Sequence, residues 1–382
     1  MSSQAYTPGL KRKEICTVRK TRRLPIPGEV LVKEGDKVSQ DTIVARTTAP
    51  GRPRIAYVAH DLGLDTDVEK IENFLLKGVG KTVEKNEQLA RYEVLFGLIK
   101  KTSLSPVTGT VESISNVTGQ VIVRELPIPI EVRAYVPGVI AEVLPREGVV
   151  VQTSAALVQG VFGIGGENCG ELKIMSKTPE DVLVDGQITT GCAGKVLVAG
   201  ALVTAEALRK ALDVGAKGIV VGGIVDRDLT DFLGYEIGVA ITGHEEISTT
   251  LILTEGFGKM KMLDRTFVLL KGLEGKLACV NGATQIRAGV IRPEVIVPRN
   301  DVPFTEIAEL REEAEQAAEG LRPGMLVRLI REPYFGALGK VVSLPAGSKK
   351  MQTESDVRVL EVELEDGRRV TKARANVEII EE

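Results

Sequence analysis

Apolar and polar residues alternate over short stretches in the N-terminal part of the chain, and glycine or proline separates these stretches. Residues 22–48 read RRLPIPGEVLVKEGDKVSQDTIVARTT, and similar stretches follow at 75–123 and 134–162. Alternation with a period of two predicts β-strands, and the glycines predict the turns between them. The recurring unit predicts imperfect internal repetition, in which strand–turn–strand units interlock to bury their apolar faces.

The pattern changes between residues 181 and 300. KVLVAG (195–200) and KGIVVGGI (217–224) are continuous apolar runs, which are typical of buried strands. The stretch LVTAEALRKALDVG (202–215) between them has helical spacing, with a threonine as N-cap and a glycine at its end. This order predicts a β-α-β unit with a parallel strand pair, and therefore a small α/β domain.

The chain after position 300 contains one charged helical pattern and then five short apolar runs. Residues 303–320, PFTEIAELREEAEQAAEG, carry a single apolar stripe that predicts a helical spacer. MLVRLI, GKVVSL, RVLEVEL, RRVTKA and NVEII each predict a strand. The predicted divisions are a basic N-terminal segment (1–20), a β-rich region (21–180), the α/β domain (181–300), the spacer (301–320) and a C-terminal β domain (321–382).

Two stretches of the β-rich region carry a family resemblance. LVKEGDKVSQDTIVA (31–45) and LSPVTGTVESI (104–114) resemble the two half-motifs of the barrel-sandwich hybrid, the biotinyl/lipoyl-like fold. The N-terminal stretch also resembles the corresponding part of RnfC-type electron-transport subunits, over about residues 20–165. The resemblance implies a structural form of this fold without a modified lysine, because no tripeptide with a carrier lysine lies between the two half-motifs. It implies no electron transfer, because the iron–sulfur cysteine clusters are missing.

The stretch MLVRLIREPYFGALGKVVSLP (325–345) resembles a KOW domain, as found in NusG-type transcription elongation factors and ribosomal proteins. The resemblance covers positions 321–382 and implies an SH3-like β-barrel, although Glu332 replaces the usual glycine. The overall expectation is thus a multidomain α+β fold: a barrel-sandwich-like N-terminal region, a central small α/β domain and a C-terminal SH3-like barrel. The candidate partner- or nucleic-acid-binding residues of the C-terminal domain are Arg328, Arg331, Tyr334, Phe335 and Lys340.

The charge balance decides which partner these residues favour. Residues 321–382 contain eleven Lys or Arg and ten Asp or Glu, and the whole chain has a formal charge of −3. A domain that binds several phosphates carries a clear basic excess. We therefore expect a protein partner in preference to direct nucleic-acid contact. Base stacking on Tyr334 and Phe335 stays an alternative, and so does a purely structural role for these two rings. Lys11 to Arg23 holds seven basic residues in thirteen, and we expect a solvated segment there.

A second candidate site follows from the predicted α/β domain. If a third strand occupies 235–243 and Gly222 and Gly223 end the second, several polar residues meet at one sheet edge, where open α/β sheets bind ligands. These candidate crevice residues are Asp226, Asp228, His244, Glu245, Glu246 and Glu255. A metal, a nucleotide or a general acid/base pair fits such a crevice, but acids at a helix N-terminus are the simpler explanation.

Composition excludes several classes of protein. The four cysteines lack the spacing of a zinc site or a disulfide framework, and free thiols are expected, including Cys169 and Cys192. No apolar run is long enough for a membrane span, and no secretory signal is visible. We expect a cytoplasmic, non-enzymatic adaptor without cofactor or metal, which docks on a nucleic-acid-handling or other multi-subunit machine. The alternative is a structural or ligand-binding subunit of a metabolic enzyme assembly, with its site around His244.

Overall fold

The structure is a computed structural model that describes residues 7–64, 68–94, 99–235, 247–284, 291–299, 321–329, 334, 337–345, 348–350, 356–364 and 366–381. These residues form many strands and few helices. The strands of the first half are β1 Thr7–Arg23, β2 Glu29–Val30, β3 Lys37–Val38, β4 Ile43–Ala49, β5 Pro53–Ala56, β6 Thr82–Val83, β7 Gln88–Val94, β8 Ile99–Leu104, β9 Gly109–Ser115, β10 Gln120–Glu125, β11 Ile128–Arg133, β12 Gly138–Leu144, β13 Gly148–Gln159, β14 Phe162–Ile164, β15 Glu167–Ile174 and β16 Val182–Leu183.

The second half continues this strand-rich composition. Its strands are β17 Lys195–Val198, β18 Leu202–Val203, β19 Gly218–Ile224, β20 Thr250–Phe257, β21 Leu277–Asn281, β22 Glu294–Pro298, β23 Leu326–Leu329, β24 Leu338–Ser343, β25 Ser348–Lys350, β26 Asp356–Leu364, β27 Arg369–Ala373 and β28 Val377–Glu381. The α-helices of the described residues are α1 Val58–Leu62, α2 Ala205–Asp213, α3 Asp226–Leu233 and α4 Asp264–Gly272. Short 3₁₀ helices occupy Val68–Phe74, Asp185–Gln187, Thr190–Cys192 and Arg374–Asn376. No helix in this part of the chain is both long and apolar enough to cross a membrane.

The expected fold class, a multidomain α+β chain with a barrel-sandwich-like region, a separate α/β domain and a separate SH3-like barrel, is wrong. Hydrogen-bonded ladders connect seventeen strands from the N-terminal, central and C-terminal parts of the sequence into one large mixed sheet. Other strands of the N-terminal part form smaller sheets, with orders β5-β10-β9-β6 and β11-β4-β2. Local apolar alternation specifies strands but not their partners, and here the partners lie far away in sequence.

Strand β1 makes the connection that the sequence did not reveal. Its N-terminal end runs parallel to β28, with Leu10 opposite Ile380. From Arg12 onward it pairs antiparallel with β13, apart from an irregularity between Lys13 and Cys16. The basic run from Lys11 to Arg23, expected to be a solvated segment, is therefore part of a strand whose backbone hydrogen bonds join β28 to β13.

The predicted β-α-β unit is present, and it forms the middle of the large sheet. β15, β17, β19 and β20 are parallel neighbours in that order. The Thr204 hydroxyl caps α2 by accepting a hydrogen bond from the Ala207 N–H at 3.2 Å, a type of cap that stabilises a helix by about 1 kcal/mol. The predicted closing helix is also found, as α4. The strand predicted at 235–243 lies almost entirely outside the described residues.

Helices cover both faces of this parallel segment, because successive strand residues point to opposite sides. Leu197 and Ile219 pack with α2 and α3 on one face. Val196 and Val220 pack with Phe267 and Leu270 of α4 on the other face. Each large apolar side chain buried in this way contributes about 1.5–3 kcal/mol, so α4 is held firmly against the sheet.

The five strands predicted for the C-terminal residues are all found, as β23, β24, β26, β27 and β28. They pair antiparallel in the order β28-β23-β24-β26-β27, and a buried cluster that includes Val327, Val341 and Leu360 lies among them. They do not stand apart as a domain, because β28 continues the ladder into β1.

Candidate functional site

Arg328, the first of the predicted partner-binding residues, lies inside the molecule. Only 3% of its surface is exposed, and its guanidinium reaches from β23 to β20. There it forms an ion pair with the carboxylate of Glu255, which is 5% exposed, and donates to the backbone carbonyl of Glu255 at 3.1 Å. Arg328 therefore is not available to a phosphate or to a partner surface, which corrects the prediction.

The same ion pair corrects the placement of Glu255 in a ligand crevice. One carboxylate oxygen of Glu255 pairs with Arg328, and the other accepts the backbone N–H of Leu263 at 3.1 Å. A buried carboxylate with both oxygens bonded in this way is a structural group. The cavity beside it has a volume of only about 20 Å³ and is also lined by Leu10 of β1 and Ile380 of β28. Two residues predicted for two different sites thus bind each other where strands from the N-terminal, central and C-terminal parts of the chain meet.

The rest of the predicted crevice is also closed where the structure describes it. Gly222 and Gly223 do not end a strand but lie inside β19, which runs on to Ile224. A Cβ atom on Gly222 would overlap the Met260 carbonyl oxygen, because the chain after β20 passes directly over this edge. These glycines therefore permit close backbone packing and do not open a ligand site.

Asp226, which is exposed, and Asp228, which is half-buried, lie in the first turn of α3, where the helix dipole favours carboxylates. His244, Glu245 and Glu246 lie outside the described residues. Within the described ranges, no group of three or more His, Cys, Asp or Glu side chains has a geometry that could hold a metal ion.

The remaining C-terminal candidates lie at the surface or outside the described residues. Tyr334 is half-buried against the C-terminal core, and its ring has the Lys372 ammonium 4.5 Å and the Arg368 guanidinium 5.7 Å from its centroid. Lys340 is exposed on β24. Arg331 and Phe335 lie outside the described residues. Cations thus already contact the ring that the sequence offered for base stacking.

A large groove among the described residues was not predicted. It lies between β1 and α4 with a volume of about 840 Å³, and we call it the β1–α4 groove. Its lining residues are Arg12, Lys13, Glu14, Ile15, Asp264, Arg265, Val268, Leu269, Gly272, Leu273 and Arg299. Four of these residues are basic and two are acidic, so basic residues outnumber acidic ones in the lining although the chain as a whole is slightly acidic.

Each wall of the groove has a local structural origin. On one side, the ladder between β1 and β13 shifts register between Lys13 and Cys16, and such a bulge bends the strand and re-aims its side chains. On the other side, α4 buries Phe267 and Leu270 in the sheet. The opposite face of α4 carries Val268, which is 67% exposed. Val268 therefore adds an exposed apolar side chain to the charged lining of the groove.

The acidic end of the groove is partly neutralised by a neighbouring lysine. Lys261 contacts the Asp264 carboxylate at 3.0 Å and the Glu180 carboxylate at 2.7 Å. Hydrogen bonding to Glu180 and then Asp264 raises the pKa of Lys261 above its usual value, and the same contact lowers the pKa of Glu180. All three groups are largely exposed, so water and salt weaken these interactions. Because Lys261 neutralises part of the charge on Asp264, the basic residues outweigh the acidic ones in the groove lining.

The sequence contained part of the signal for this groove. The basic run around Arg12 and Lys13 stood out in the charge pattern, but strand β1 was not recognised there. No sequence rule brought that run next to Arg265 and Arg299, which lie far away along the chain. No protein-family model matches the chain, and no curated protein matches it significantly in sequence.

Proposed function

We propose that this protein is a non-enzymatic adaptor that binds an acidic segment of a partner protein in the β1–α4 groove. The observation that carries the proposal is the groove itself, which four basic side chains line together with the exposed Val268. The partner segment that fits has carboxylates for the arginines and lysine and apolar side chains for Val268 and Leu269. An amphipathic helix laid in a groove is a common way to meet both demands.

A protein segment fits this groove better than a nucleic acid does. The lining carries four basic and two acidic residues, a small basic excess for a site that binds several phosphates along a nucleic-acid backbone. It also includes apolar side chains at Ile15, Val268 and Leu269, which gain little from a backbone of phosphates and sugars. We place the adaptor in the cytoplasm as part of this proposal, since all four cysteines are free thiols and reducing compartments maintain that state.

The test is a binding titration with a fluorescein-labelled synthetic peptide of Glu and Leu residues patterned as one amphipathic helix. We expect saturable binding that weakens as salt is raised, because part of the attraction is electrostatic. The double variant Arg265→Glu/Arg299→Glu reverses charge on two groove walls, and we expect it to lose most of this affinity. Its thermal unfolding must match that of the wild-type protein, so that the loss reports on the surface.

The matched control reverses two exposed charges of the C-terminal strands, Lys340→Glu/Arg369→Glu, and should leave peptide affinity unchanged. Equal losses in both double variants would reduce the binding to non-specific charge attraction and would contradict the proposal. Mixed-sequence single-stranded RNA serves as the competing probe. Tighter binding of the RNA than of the peptide, lost in the groove variant, would make the groove a nucleic-acid site instead.

A second candidate surface surrounds Tyr334, where the sequence resembles KOW domains. The close approach of Lys372 and Arg368 to the ring supports it, because a ring flanked by cations offers both stacking area and positive charge. If this surface binds RNA, binding should fall steeply with salt and should be lost in Lys340→Glu/Lys372→Glu, while peptide binding to the groove is retained.

A further inference from the structure

Two cysteines that are far apart in sequence are direct cross-strand neighbours in the sheet. Cys169 on β15 lies opposite Cys279 on β21 in the antiparallel ladder. Directly opposed residues in such a ladder have Cα atoms about 4.5–5.5 Å apart, which falls in the range that a disulfide bond spans. Cys192, the other cysteine considered from the sequence, instead lies buried with its sulfur 3.7 Å from the Lys173 ammonium.

The two thiols also differ in environment. Cys279 is fully buried, whereas Cys169 is only half-buried, so a small oxidant reaches Cys169 first. A hydrogen bond between the two thiols raises the pKa of Cys279, and its burial raises it further. Cys279 therefore holds its proton, while Cys169 is the thiol of the pair that is partly exposed. These roles match those of an attacking thiol and a resolving thiol.

The surroundings of the pair are chemically unusual for a sheet interior. Tyr135 lies beside them with a left-handed backbone (φ 69°), and its carbonyl oxygen accepts the Cys169 S–H at 3.3 Å. Its hydroxyl is buried without a hydrogen-bond partner. Strained backbone and unsatisfied polar atoms concentrate at functional sites, so this cluster differs from an ordinary apolar core.

We propose that Cys169 and Cys279 form a reversible disulfide when the protein meets a peroxide. The Cys169 thiol loses its proton as its sulfur attacks one oxygen of hydrogen peroxide, an S–O bond forms, the O–O bond breaks, and the leaving hydroxide takes that proton and departs as water. The Cys279 thiol then loses its proton as its sulfur attacks Cys169, the S–S bond forms, and the S–O bond breaks with release of a second water. Two thiols are oxidised and one peroxide is reduced.

The crosslink joins the strand that precedes the β-α-β unit to the strand that follows α4. It closes a long loop between positions 169 and 279, and closing a long loop restricts the unfolded chain. Oxidation therefore makes the central sheet harder to unfold. Because it consumes the Cys169 S–H, it also removes the donor that the Tyr135 carbonyl now uses.

The test treats the full-length protein with hydrogen peroxide, blocks the remaining thiols, and maps the digested peptides by mass spectrometry. We expect a linked peptide pair that contains Cys169 and Cys279, which a thiol reductant separates. The oxidised protein should also unfold at a higher denaturant concentration than the reduced protein. Cys192→Ser should leave the link unchanged, whereas Cys279→Ser should divert Cys169 to sulfenic and sulfinic acids.

Three outcomes would overturn the proposal. The first is over-oxidation of Cys169 in the wild-type protein without any link, and the second is a link between Cys169 and Cys16, which belongs to the same buried cluster. The third is no reaction at either thiol while Cys16 is oxidised. Peptide mapping of the wild-type protein decides among them even if Cys279→Ser does not fold.

Discussion

The two sides of helix α4 show how the same residue types serve opposite purposes. Just before the helix, the chain folds over the sheet edge, where Arg328 and Glu255 are buried as a pair beside a cavity of about 20 Å³. Along its outer face, arginines and lysine line an open groove of about 840 Å³. A buried charge must be paired to be tolerated, whereas a charge that water reaches can also contact a partner. The closed side therefore serves assembly of the fold, and the open side is where we propose that a partner binds.

The largest expected effect comes from breaking the buried pair. Arg328→Met leaves the Glu255 carboxylate without its cation and should lower the free energy of unfolding by about 3–5 kcal/mol. Arg369→Met removes an exposed arginine from its pair with Glu363 and should cost at most about 1 kcal/mol. Chemical denaturation of both variants measures the difference. Equal losses would show that Arg328 is no more structural than a surface arginine.

Filling the closed edge should have the next largest effect. Gly222→Ala places a Cβ against the Met260 carbonyl and should destabilise the protein by about 1–3 kcal/mol, since the backbone must move to make room. Gly186→Ala is the control, because a Cβ at that exposed position contacts nothing within 4 Å. If Gly222→Ala unfolds at the same denaturant concentration as the control, the sheet edge has room for a Cβ atom. The prediction of a ligand crevice at this edge would then be restored.

On the open side, a single apolar residue should change binding and not stability. Val268→Asp should weaken binding of the acidic amphipathic peptide roughly tenfold, which corresponds to about 1.4 kcal/mol, because it replaces an apolar contact by a repelling charge. Val117→Asp changes another exposed valine, which does not line the groove, and should leave affinity unchanged. Fluorescence anisotropy compares the two variants. Retained affinity in Val268→Asp would remove the apolar part of the proposed contact.

The smallest expected effect concerns the exposed ion pairs of Lys261. The pKa of Glu180 is lowered in the folded protein, so its contribution to stability is present above its unfolded value of 4.5 and is lost as pH falls through the folded value. The pKa of Lys261 is raised, so its contribution is present below 10.5 and is lost as pH rises through the folded value. The small difference between wild type and Lys261→Met should therefore appear at neutral pH and vanish in acid and in strong alkali. If the difference in stability between the two proteins stays constant across this pH range, it comes from packing of the Lys261 side chain and not from its ion pairs.

Much of the local structure was readable in the sequence. Continuous apolar runs correctly marked β17 and β19, the threonine-capped pattern marked α2, and alternation marked the C-terminal strands. These signals lie within the few residues of each element, so they can be read without knowing which distant segment the element contacts. Division into separate domains failed because strand partners are chosen by surfaces far away in sequence. The pairing of β1 with β28 has no local signal at either end.

Two of the candidate site residues were assigned wrongly for a related reason. Arg328 and Glu255 looked like two surface residues of two sites, since charge predicts exposure. Only the three-dimensional arrangement shows that they neutralise each other. The groove was missed because its walls come from three distant segments, at 12–15, 264–273 and Arg299. The charge pattern of the sequence identified the first segment. It does not indicate that the other two segments lie beside the first in the folded protein.

The most direct test of the account is hydrogen–deuterium exchange of the full-length protein with and without the acidic amphipathic peptide, read by mass spectrometry. We predict slower exchange in peptides that cover residues 12–15 and 264–273, and no change in those that cover β24 and β27. Protection confined to β24 and β27 would show that the C-terminal strands, and not the β1–α4 groove, form the docking surface, and it would contradict the account.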